Sequence, residues 1–105
     1  VATEEAADVI NVKLAKTSIL ETVSIHAICQ SFGVGLMVGC MIESRLALSM
    51  AVHMVAGLGG VAHCDLDTFL LLAEDPIQGG FRENAGILSV SHVQAGIGVE
   101  LRKME

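Results

Sequence analysis

The sequence predicts an α/β fold in which parallel strands alternate with helices. Short apolar runs of strand length alternate with longer segments in which apolar residues recur at the period of a helix. Glycines stand between these segments, where helices commonly end. The 105 residues include no Trp or Tyr and only three Phe, so the apolar mass is aliphatic, which is typical of a buried parallel sheet. We therefore expect a sheet covered by helices on its faces.

The elements predicted before residue 67 follow the order β-α-β-α-β, which implies right-handed crossovers between parallel strands. In chain order they are a remnant of a short helix at 3–6, a strand at 8–14, a helix at 18–32 ended by Gly33, a strand at 35–40, a helix at about 43–56 and a strand at 61–65. In the first long helix one face is apolar and is expected to be the buried one, with a polar face opposite. The apolar face consists of Leu20, Val23, Ala27 and Ile28, and the opposite face of Glu21, Thr22 and Gln30.

The second long helix has an unusually narrow polar stripe. Arg45, Ser49 and His53 recur every four residues, and the rest of the helix surface is apolar. We expect such a helix to be covered on most sides, by the sheet and by another subunit, and we therefore expect a homo-oligomer. After residue 67 the pattern changes to turns at 75–76 and 78–80, with small strands expected at 86–90 and 98–101.

Residues capable of chemistry stand where the three predicted parallel strands end. In parallel α/β sheets the ligand site lies at the carboxyl ends of the strands. Lys13 and Lys16 end the first strand, residues 40–43 end the second, and Asp65 and Asp67 end the third. This coincidence predicts one site at one edge of the sheet. The alternative is that both lysines are surface charges and that Glu43 is a charge at the N-terminus of the second helix.

Asp65 and Asp67 are one residue apart, and side chains at i and i+2 of a strand point to the same face. Two carboxylates held together are costly unless a cation lies between them. A ligand ammonium group or a metal ion would satisfy them. The alternative is that one Asp caps the following turn and the other is solvated. His63 shares their face by alternation, and we expect it to be a buried, hydrogen-bonded histidine rather than a catalytic one.

Composition excludes some classes of function. Twelve acidic residues against six Lys and Arg give a net charge of −6, which argues against nucleic acid as a partner. No apolar run is long enough for a membrane span. The three cysteines lack Cys-x-x-Cys spacing and predict reduced thiols in a cytoplasmic protein. With 52% hydrophobic residues and a mean hydropathy of +0.64, the chain is more apolar than a small isolated domain can bury, which indicates a large partner surface.

Four segments resemble the muconate-lactonizing-enzyme subgroup of the enolase superfamily. Residues 11–17 (NVKLAKT) resemble its sixth barrel strand, residues 36–44 (LMVGCMIES) its seventh, residues 65–67 (DLD) with the Gly-Gly at 79–80 its eighth, and residues 96–101 (GIGVEL) its closing segment. The acid-x-acid pair is similar to that of the dipeptide epimerases of this subgroup, which include L-Ala-D/L-Glu epimerases.

The resemblance implies that the chain is the C-terminal portion of a (β/α)₇β barrel. Residues 1–72 would supply strands six to eight, and residues 73–105 would return to an α+β capping domain. The partner implied is the N-terminal portion of the barrel, which would hold the ligands of a Mg²⁺ ion because this chain shows none. The family reaction abstracts the proton α to a carboxylate, and epimerisation requires a base on each face of the α-carbon.

The resemblance also implies roles for individual residues. Lys13 would be one catalytic base, with Lys16 as the second candidate, and a lysine acts as a base near neutral pH only where its ammonium form is disfavoured. Asp65 and Asp67 would bind the ammonium group of a dipeptide such as L-Ala-L-Glu. The pocket lining would be formed by Cys40, Met41 and Ile42, supported by Glu43.

Two other interpretations of function remain open at the level of sequence. Lys13 also fits a cycloisomerase or an o-succinylbenzoate-synthase-like enzyme of the same superfamily, whose substrates carry no ammonium group. In that case Asp65 and Asp67 would have no ammonium to bind, which separates the two reactions. The length of 105 residues and the surplus of apolar surface also fit a stand-alone, non-catalytic α/β module that associates with itself.

Overall fold

A three-stranded parallel sheet and two helices form the first part of the chain, as the sequence predicts. The computed structural model describes residues 3–103. The strands of the sheet stand in the order β1-β2-β3. The elements are β1 (Val9–Lys13), α1 (Ile19–Phe32), β2 (Gly35–Gly39), α2 (Arg45–Leu58) and β3 (His63–Cys64). Among the described residues, no helix has the length and hydropathy that a membrane span requires.

The hydrophobic core lies on one face of this sheet. Val12 pairs with Val38 in the parallel register, and their side chains are 3% and 0% exposed. Leu36 lies two residues before Val38 and therefore on the same face. Helix α1 adds Cys29 to this core, and helix α2 adds Leu48, Ala51 and Val52. The opposite face of the sheet does not belong to this core, and it carries the polar side chains described below.

Helix α1 begins and ends at the predicted residues but buries a different face. Ser18 is its N-cap and accepts a hydrogen bond from the Glu21 N–H, and Gly33 ends it in the left-handed conformation (φ 69°). The expectation that Leu20 is buried is wrong, because that side chain is 80% exposed. Thr22 is fully buried instead, since its hydroxyl is satisfied by the Ser18 carbonyl at 2.7 Å.

The polar stripe of α2 lies under the C-terminal segment of the same chain. The Arg45 guanidinium donates to the carbonyls of Gly79 and Phe81, both at 2.6 Å. It also lies 4.0 Å from the centre of the Phe81 ring. The fully buried side chain of Ser49 lies between these contacts and His53, whose Nε2 is 2.9 Å from the Gly80 carbonyl oxygen. A segment of the same chain therefore covers the stripe, and the homo-oligomer remains a prediction.

The C-terminal segment contains two small antiparallel pairs. Strand β4 (Ile77–Gly79) pairs with β7 (Val99–Leu101), and β5 (Arg82–Asn84) pairs with β6 (Ile87–Ser89). The strands expected near 86–90 and 98–101 are thus confirmed. Their partner strands were missed because the turn signals around Gly79 and Gly80 dominate that part of the sequence.

Two further expectations about local structure need correction. Residues 3–6 form no helix, because Thr3–Glu5 are a turn and one turn of helix is too short to be stable without packing. A short 3₁₀ helix (Thr68–Leu71), which the sequence did not predict, follows Asp67.

Candidate active site

The carboxyl ends of the three parallel strands meet at one edge of the sheet. Lys13 pairs with Gly39 at the end of β1 and β2. Val38 pairs with Cys64, and the Asp65 N–H continues this ladder by donating to the Val38 carbonyl at 2.9 Å. Lys13 and Asp65 therefore lie at the same edge, on strands separated only by β2. This is the placement that the sequence predicts.

Lys13 also points away from the core. Asn11 and Lys13 alternate with the buried Val12, so they lie on the opposite face of β1. Their side chains pass over Gly39, where an added Cβ would lie 3.1 Å from Asn11 Oδ1 and 3.5 Å from Lys13 Cε. The missing side chain at Gly39 therefore leaves the space that the lysine stem occupies.

Asp65 falls on the same face as Lys13. Met37 is the register partner of His63, and Asn11 is the register partner of Met37, so these three side chains share one face of the sheet. Asp65 lies two residues after His63, and its N–H still bonds to β2, so alternation places its side chain on the same face as that of His63. The edge thus presents an amine and a carboxylate on the face opposite the core.

The two predicted lysines differ in position. Lys13 is half-buried, and its Nζ lies 3.8 Å from the sulfur of Met41, a residue of the loop after β2. Lys16 is exposed and lies in a tight turn, in which its N–H donates to the Lys13 carbonyl at 2.8 Å. Only Lys13 belongs to the strand face described above. The geometry therefore favours Lys13 over Lys16 as the amine of this site.

Asp65 and Asp67 are both exposed. Asp67 occupies the N-cap position of the 3₁₀ helix, and its backbone carbonyl accepts the Leu70 N–H at 3.0 Å. Its side chain, however, makes no capping hydrogen bond. The alternative role of Asp67 as a side-chain cap is therefore not observed, and its carboxylate remains open to solvent or a ligand.

The loop after β2 carries the residues expected to line the pocket. Cys40 is half-buried, and Met41 and Ile42 are exposed. Glu43 precedes the N-cap Ser44, and α2 has no acidic residue in its first turn. Helix α2 starts two residues later than predicted, so Glu43 lies one residue before the N-cap, and its alternative role as a charge at the helix N-terminus stays a prediction.

Thr68 joins this loop to the loop of the two aspartates, and the sequence analysis did not single it out. Its hydroxyl donates to the Met41 carbonyl at 2.9 Å and accepts the Glu43 N–H at 3.4 Å. Its Oγ1 also lies 3.5 Å from the Cys40 sulfur. The one available signal was its place directly after the acid pair, where a Ser or Thr often bonds to nearby backbone.

The residues just before Asp65 differ from expectation as well. His63 is exposed, so the expectation of a buried, hydrogen-bonded histidine is wrong; its side chain lies on the face of the sheet opposite the core. Partial burial raises the pKa of the Cys64 thiol. Cys64 alternates with His63 and Asp65 and therefore points to the other face of the sheet.

A cleft of about 690 Å³ lies beside the loop that carries the two aspartates. It lies between α2, the loop after β3 and the β5–β6 hairpin. Its walls include Val52, Leu66 and Leu88, and its ionisable groups other than the Cys64 thiol are the carboxylates of Asp65, Asp67 and Glu83. Within residues 3–103, the lining of this cleft includes no lysine, arginine or histidine. It therefore has no partner for proton transfer like Lys13.

The described residues do not supply a metal site. Within residues 3–103, no group of three or more His, Cys, Asp or Glu side chains is arranged to hold a metal ion. Asp65 and Asp67 alone are two carboxylates, whereas hard cations such as Mg²⁺ prefer a full set of oxygen ligands. The chemistry at this edge of the sheet is therefore that of one amine and a pair of carboxylates.

The chain has a parallel α/β sheet with polar side chains at the carboxyl ends of its strands. These features are typical of the class of α/β domains that bind ligands at that edge of the sheet. The family model described as "Enolase C-terminal domain-like" matches residues 1–105. The chain belongs to this enolase C-terminal domain-like family. The resemblance to the enolase superfamily drawn from the sequence is thereby confirmed.

Curated relatives of the chain are dipeptide epimerases. It is 46% identical over 101 residues to the aromatic dipeptide epimerase of Herpetosiphon aurantiacus, an alignment that covers 96% of this chain and 28% of that protein. It is 42% identical over 78 residues to the L-Ala-D/L-Glu epimerase of Thermotoga maritima, covering 74% of this chain and 23% of that protein. The chain thus spans between about a fifth and a third of the length of these relatives.

Solved structures give the same relationship. The substrate-liganded complex of the L-Ala-D/L-Glu epimerase from Bacillus subtilis matches with a TM-score of 0.87 and 32% identity, covering 93% of this chain and 27% of that one. The dipeptide epimerase of Enterococcus faecalis V583, complexed with Mg and the dipeptide L-Leu-L-Tyr, matches with a TM-score of 0.85 and 33% identity, covering 93% and 28%. The mixed α/β fold is that of this superfamily's C-terminal domain.

Proposed function

We propose that this chain is the part of a Mg²⁺-dependent dipeptide epimerase that carries one proton-transferring lysine and the carboxylates that bind the substrate's ammonium group. The observation that carries the proposal is the placement of Lys13 and Asp65 on one face at the carboxyl edge of the sheet. The identity to dipeptide epimerases over nearly the whole chain supports it.

Lys13 transfers the proton on one face of the substrate's α-carbon. Its side chain is half-buried along the strand face, and its Nζ is next to the Met41 sulfur rather than a carboxylate. Epimerisation needs a second base on the opposite face, and that base belongs to a part of the protein outside these residues.

Asp65 and Asp67 bind the dipeptide's N-terminal ammonium group. An ammonium group donates three hydrogen bonds and carries one positive charge, which offsets the repulsion between two adjacent carboxylates. Asp67 keeps its side chain free of a capping bond, as this role requires. The loop of Cys40, Met41 and Ile42, with Glu43 behind it, forms the wall between the amine and the carboxylates.

The metal ion belongs elsewhere in this proposal. Mg²⁺ accompanies dipeptide in the E. faecalis structure, and the described part of this chain has no ligand set for it. We therefore assign its ligands to residues outside the chain. When bound, the ion would stabilise negative charge on the substrate carboxylate as the α-proton leaves.

The remaining barrel is also the partner that covers the exposed apolar surface. Val23 and Ile28 of α1 are 42% and 51% exposed, and Leu20 beside them is more exposed still. Among residues 3–103, strand β1 pairs only with β2, which leaves its other edge without a partner strand in this part of the chain. In the proposed enzyme, preceding barrel elements pair with this edge and bury these side chains, which removes an aggregation hazard.

The test is exchange of the α-proton with solvent deuterium, followed by NMR, in the complete enzyme with Mg²⁺. Substrates are L-Ala-L-Glu, an L-Ala-aromatic dipeptide and L-Leu-L-Tyr. We expect exchange and epimerisation of at least one of them. Asp65→Asn and Asp67→Asn should each raise KM by about tenfold or more, because each removes a charge-assisted bond to the ammonium group.

The matched control is Glu74→Gln, which neutralises an exposed acid outside the site and should leave KM unchanged. Absence of exchange with every dipeptide would contradict the epimerase function. Exchange that is unchanged in both aspartate variants would contradict the ammonium role of Asp65 and Asp67.

A further inference from the structure

We propose that Thr68 is a positioning residue that holds the loop at 40–43 and the loop at 65–67 in one fixed arrangement. The inference rests on the proposed function, since these two loops are the ones assigned to the pocket wall and the ammonium site. Thr68 itself is not assigned a contact with substrate. It acts through the backbone of one loop and the position of the other.

The hydroxyl of Thr68 makes two hydrogen bonds to the loop after β2. It donates its one proton to the Met41 carbonyl at 2.9 Å and accepts the Glu43 N–H at 3.4 Å. The Cys40 sulfur also lies 3.5 Å from this oxygen, but the Cys40 thiol donates its one proton to the Asp65 carbonyl, so this contact is not a hydrogen bond. One side chain thus contacts three residues of the loop after β2, about 25 positions away in sequence.

The backbone of Thr68 belongs to the other loop. Thr68 directly follows Asp67 and begins the 3₁₀ helix, whose Leu70 N–H donates to the Asp67 carbonyl at 3.0 Å. A second hydrogen bond joins the same two loops: the Cys40 thiol donates to the Asp65 carbonyl at 3.2 Å. A thiol is a weak donor, so the Thr68 hydroxyl makes the stronger of the two connections.

The hydrogen bond from Thr68 to Met41 also affects the surroundings of the Lys13 amine. Met41, whose carbonyl is held by Thr68, places its sulfur 3.8 Å from Lys13 Nζ. Displacing the Met41 peptide therefore moves the residue that lies beside the lysine. Thr68 accordingly fixes the separation between the base and the ammonium-binding carboxylates, which a dipeptide must span to present its α-carbon to the base.

The variants that isolate the hydroxyl are Thr68→Val, which keeps the shape and removes the bonds, and Thr68→Ser, which keeps the bonds. In the complete enzyme with L-Ala-L-Glu, we expect Thr68→Val to raise KM by about tenfold, the equivalent of one well-placed hydrogen bond. Thr68→Ser should stay within about threefold of wild type on the same reasoning. If the valine variant does not fold, Thr68→Ala makes the same comparison.

A double variant distinguishes positioning from a general loss of stability. If Thr68 acts through the Asp67 loop, the effects of Thr68→Val and Asp67→Asn on KM are not independent, and the double variant is less impaired than the product of the two single effects. Hydrogen exchange gives a readout that needs no substrate. The segment containing the Glu43 amide should exchange faster in Thr68→Val than in wild type, and Thr68→Ser should restore its protection.

Each result decides the inference separately from the function. A wild-type enzyme without epimerase activity would overturn the proposed function, and the hydrogen-exchange comparison would still decide whether Thr68 fixes the loop. An active wild type with KM unchanged in Thr68→Val, effects that multiply fully in the double variant, or equal exchange at Glu43 in all variants would overturn the positioning role.

Discussion

The carboxylate of Asp75 accepts a hydrogen bond from the backbone N–H of Arg45 at 2.7 Å, although the two residues are thirty positions apart. Its other oxygen accepts the Ile77 N–H at 2.9 Å. Ser44, the N-cap residue of α2, makes no side-chain capping bond, so the cap and the negative charge at this helix N-terminus come from the C-terminal segment. The segment that covers α2 therefore also stabilises its first turn.

Removal of this distant cap should destabilise the protein. We expect Asp75→Ala to lower the free energy of unfolding by about 1–2 kcal/mol, because it leaves a helix N–H without its acceptor and removes the charge. The measurement is urea unfolding of the complete protein. Glu74→Ala is the matched control, since Glu74 is exposed and adjacent. Equal losses in both variants would show that the Asp75 bonds contribute nothing specific.

Gly80 should tolerate no side chain. Its φ is +82°, and an added Cβ would overlap Ser49 Oγ and lie 2.6 Å from Ser49 Cβ and 2.8 Å from Val99 Cγ1. Because Ser49 is fully buried in α2, the clash can be relieved only by moving the C-terminal segment away from the helix. We expect Gly80→Ala to lower the free energy of unfolding by more than about 3 kcal/mol, the upper range for an overpacked core.

Gly86 provides the control for backbone strain alone. It has a similar φ of +85°, but nothing lies within 4 Å of its added Cβ. Gly86→Ala should therefore lower the free energy of unfolding by only about 1–2 kcal/mol, because a residue other than glycine is strained in the left-handed conformation. A Gly80→Ala variant no less stable than Gly86→Ala would mean that the segment does not press against Ser49 as described.

The sequence sufficed for the parallel sheet and for the edge at which the site lies. Strand alternation and glycine-terminated helices are local signals, and they placed Lys13 and Asp65 correctly at one edge. The role of the α2 stripe could not be predicted, because the partners of Arg45 and His53 are backbone carbonyls of residues 79–81. Carbonyls carry no sequence signature, and neither does the loop-to-loop bond of Thr68.

Burial in α1 was mispredicted for a related reason. Periodicity identifies the apolar face of a helix but not what covers it, and the sheet in this structure covers the side with Thr22 and Cys29. Thr22 can be buried because Ser18 and Thr17 satisfy its hydroxyl, a local bond that hydropathy does not register.

Replacement of the two lysines should separate their roles. Lys13→Met removes the amine on the strand face and should reduce α-proton exchange of a dipeptide by at least about 100-fold, the lower range for loss of a general base. Lys16→Met should retain most of the activity, because Lys16 lies in the exposed turn after β1. NMR of exchange in D₂O with the complete enzyme measures both. The reverse pattern would assign the base to Lys16.

The thiol of Cys64 should make stability depend on pH in the alkaline range. Partial burial raises its pKa, so the folded state favours the neutral thiol and binds its proton more tightly than the unfolded chain does. The contribution of this thiol to stability is fully present below the unfolded-state pKa and is lost as the pH rises through the higher folded-state value. The free energy of unfolding, measured with urea at neutral and alkaline pH, should decline more steeply for wild type than for Cys64→Ser, which has no titrating group at position 64. Parallel declines in the two proteins would show that the thiol is as well solvated in the folded state as in the unfolded one.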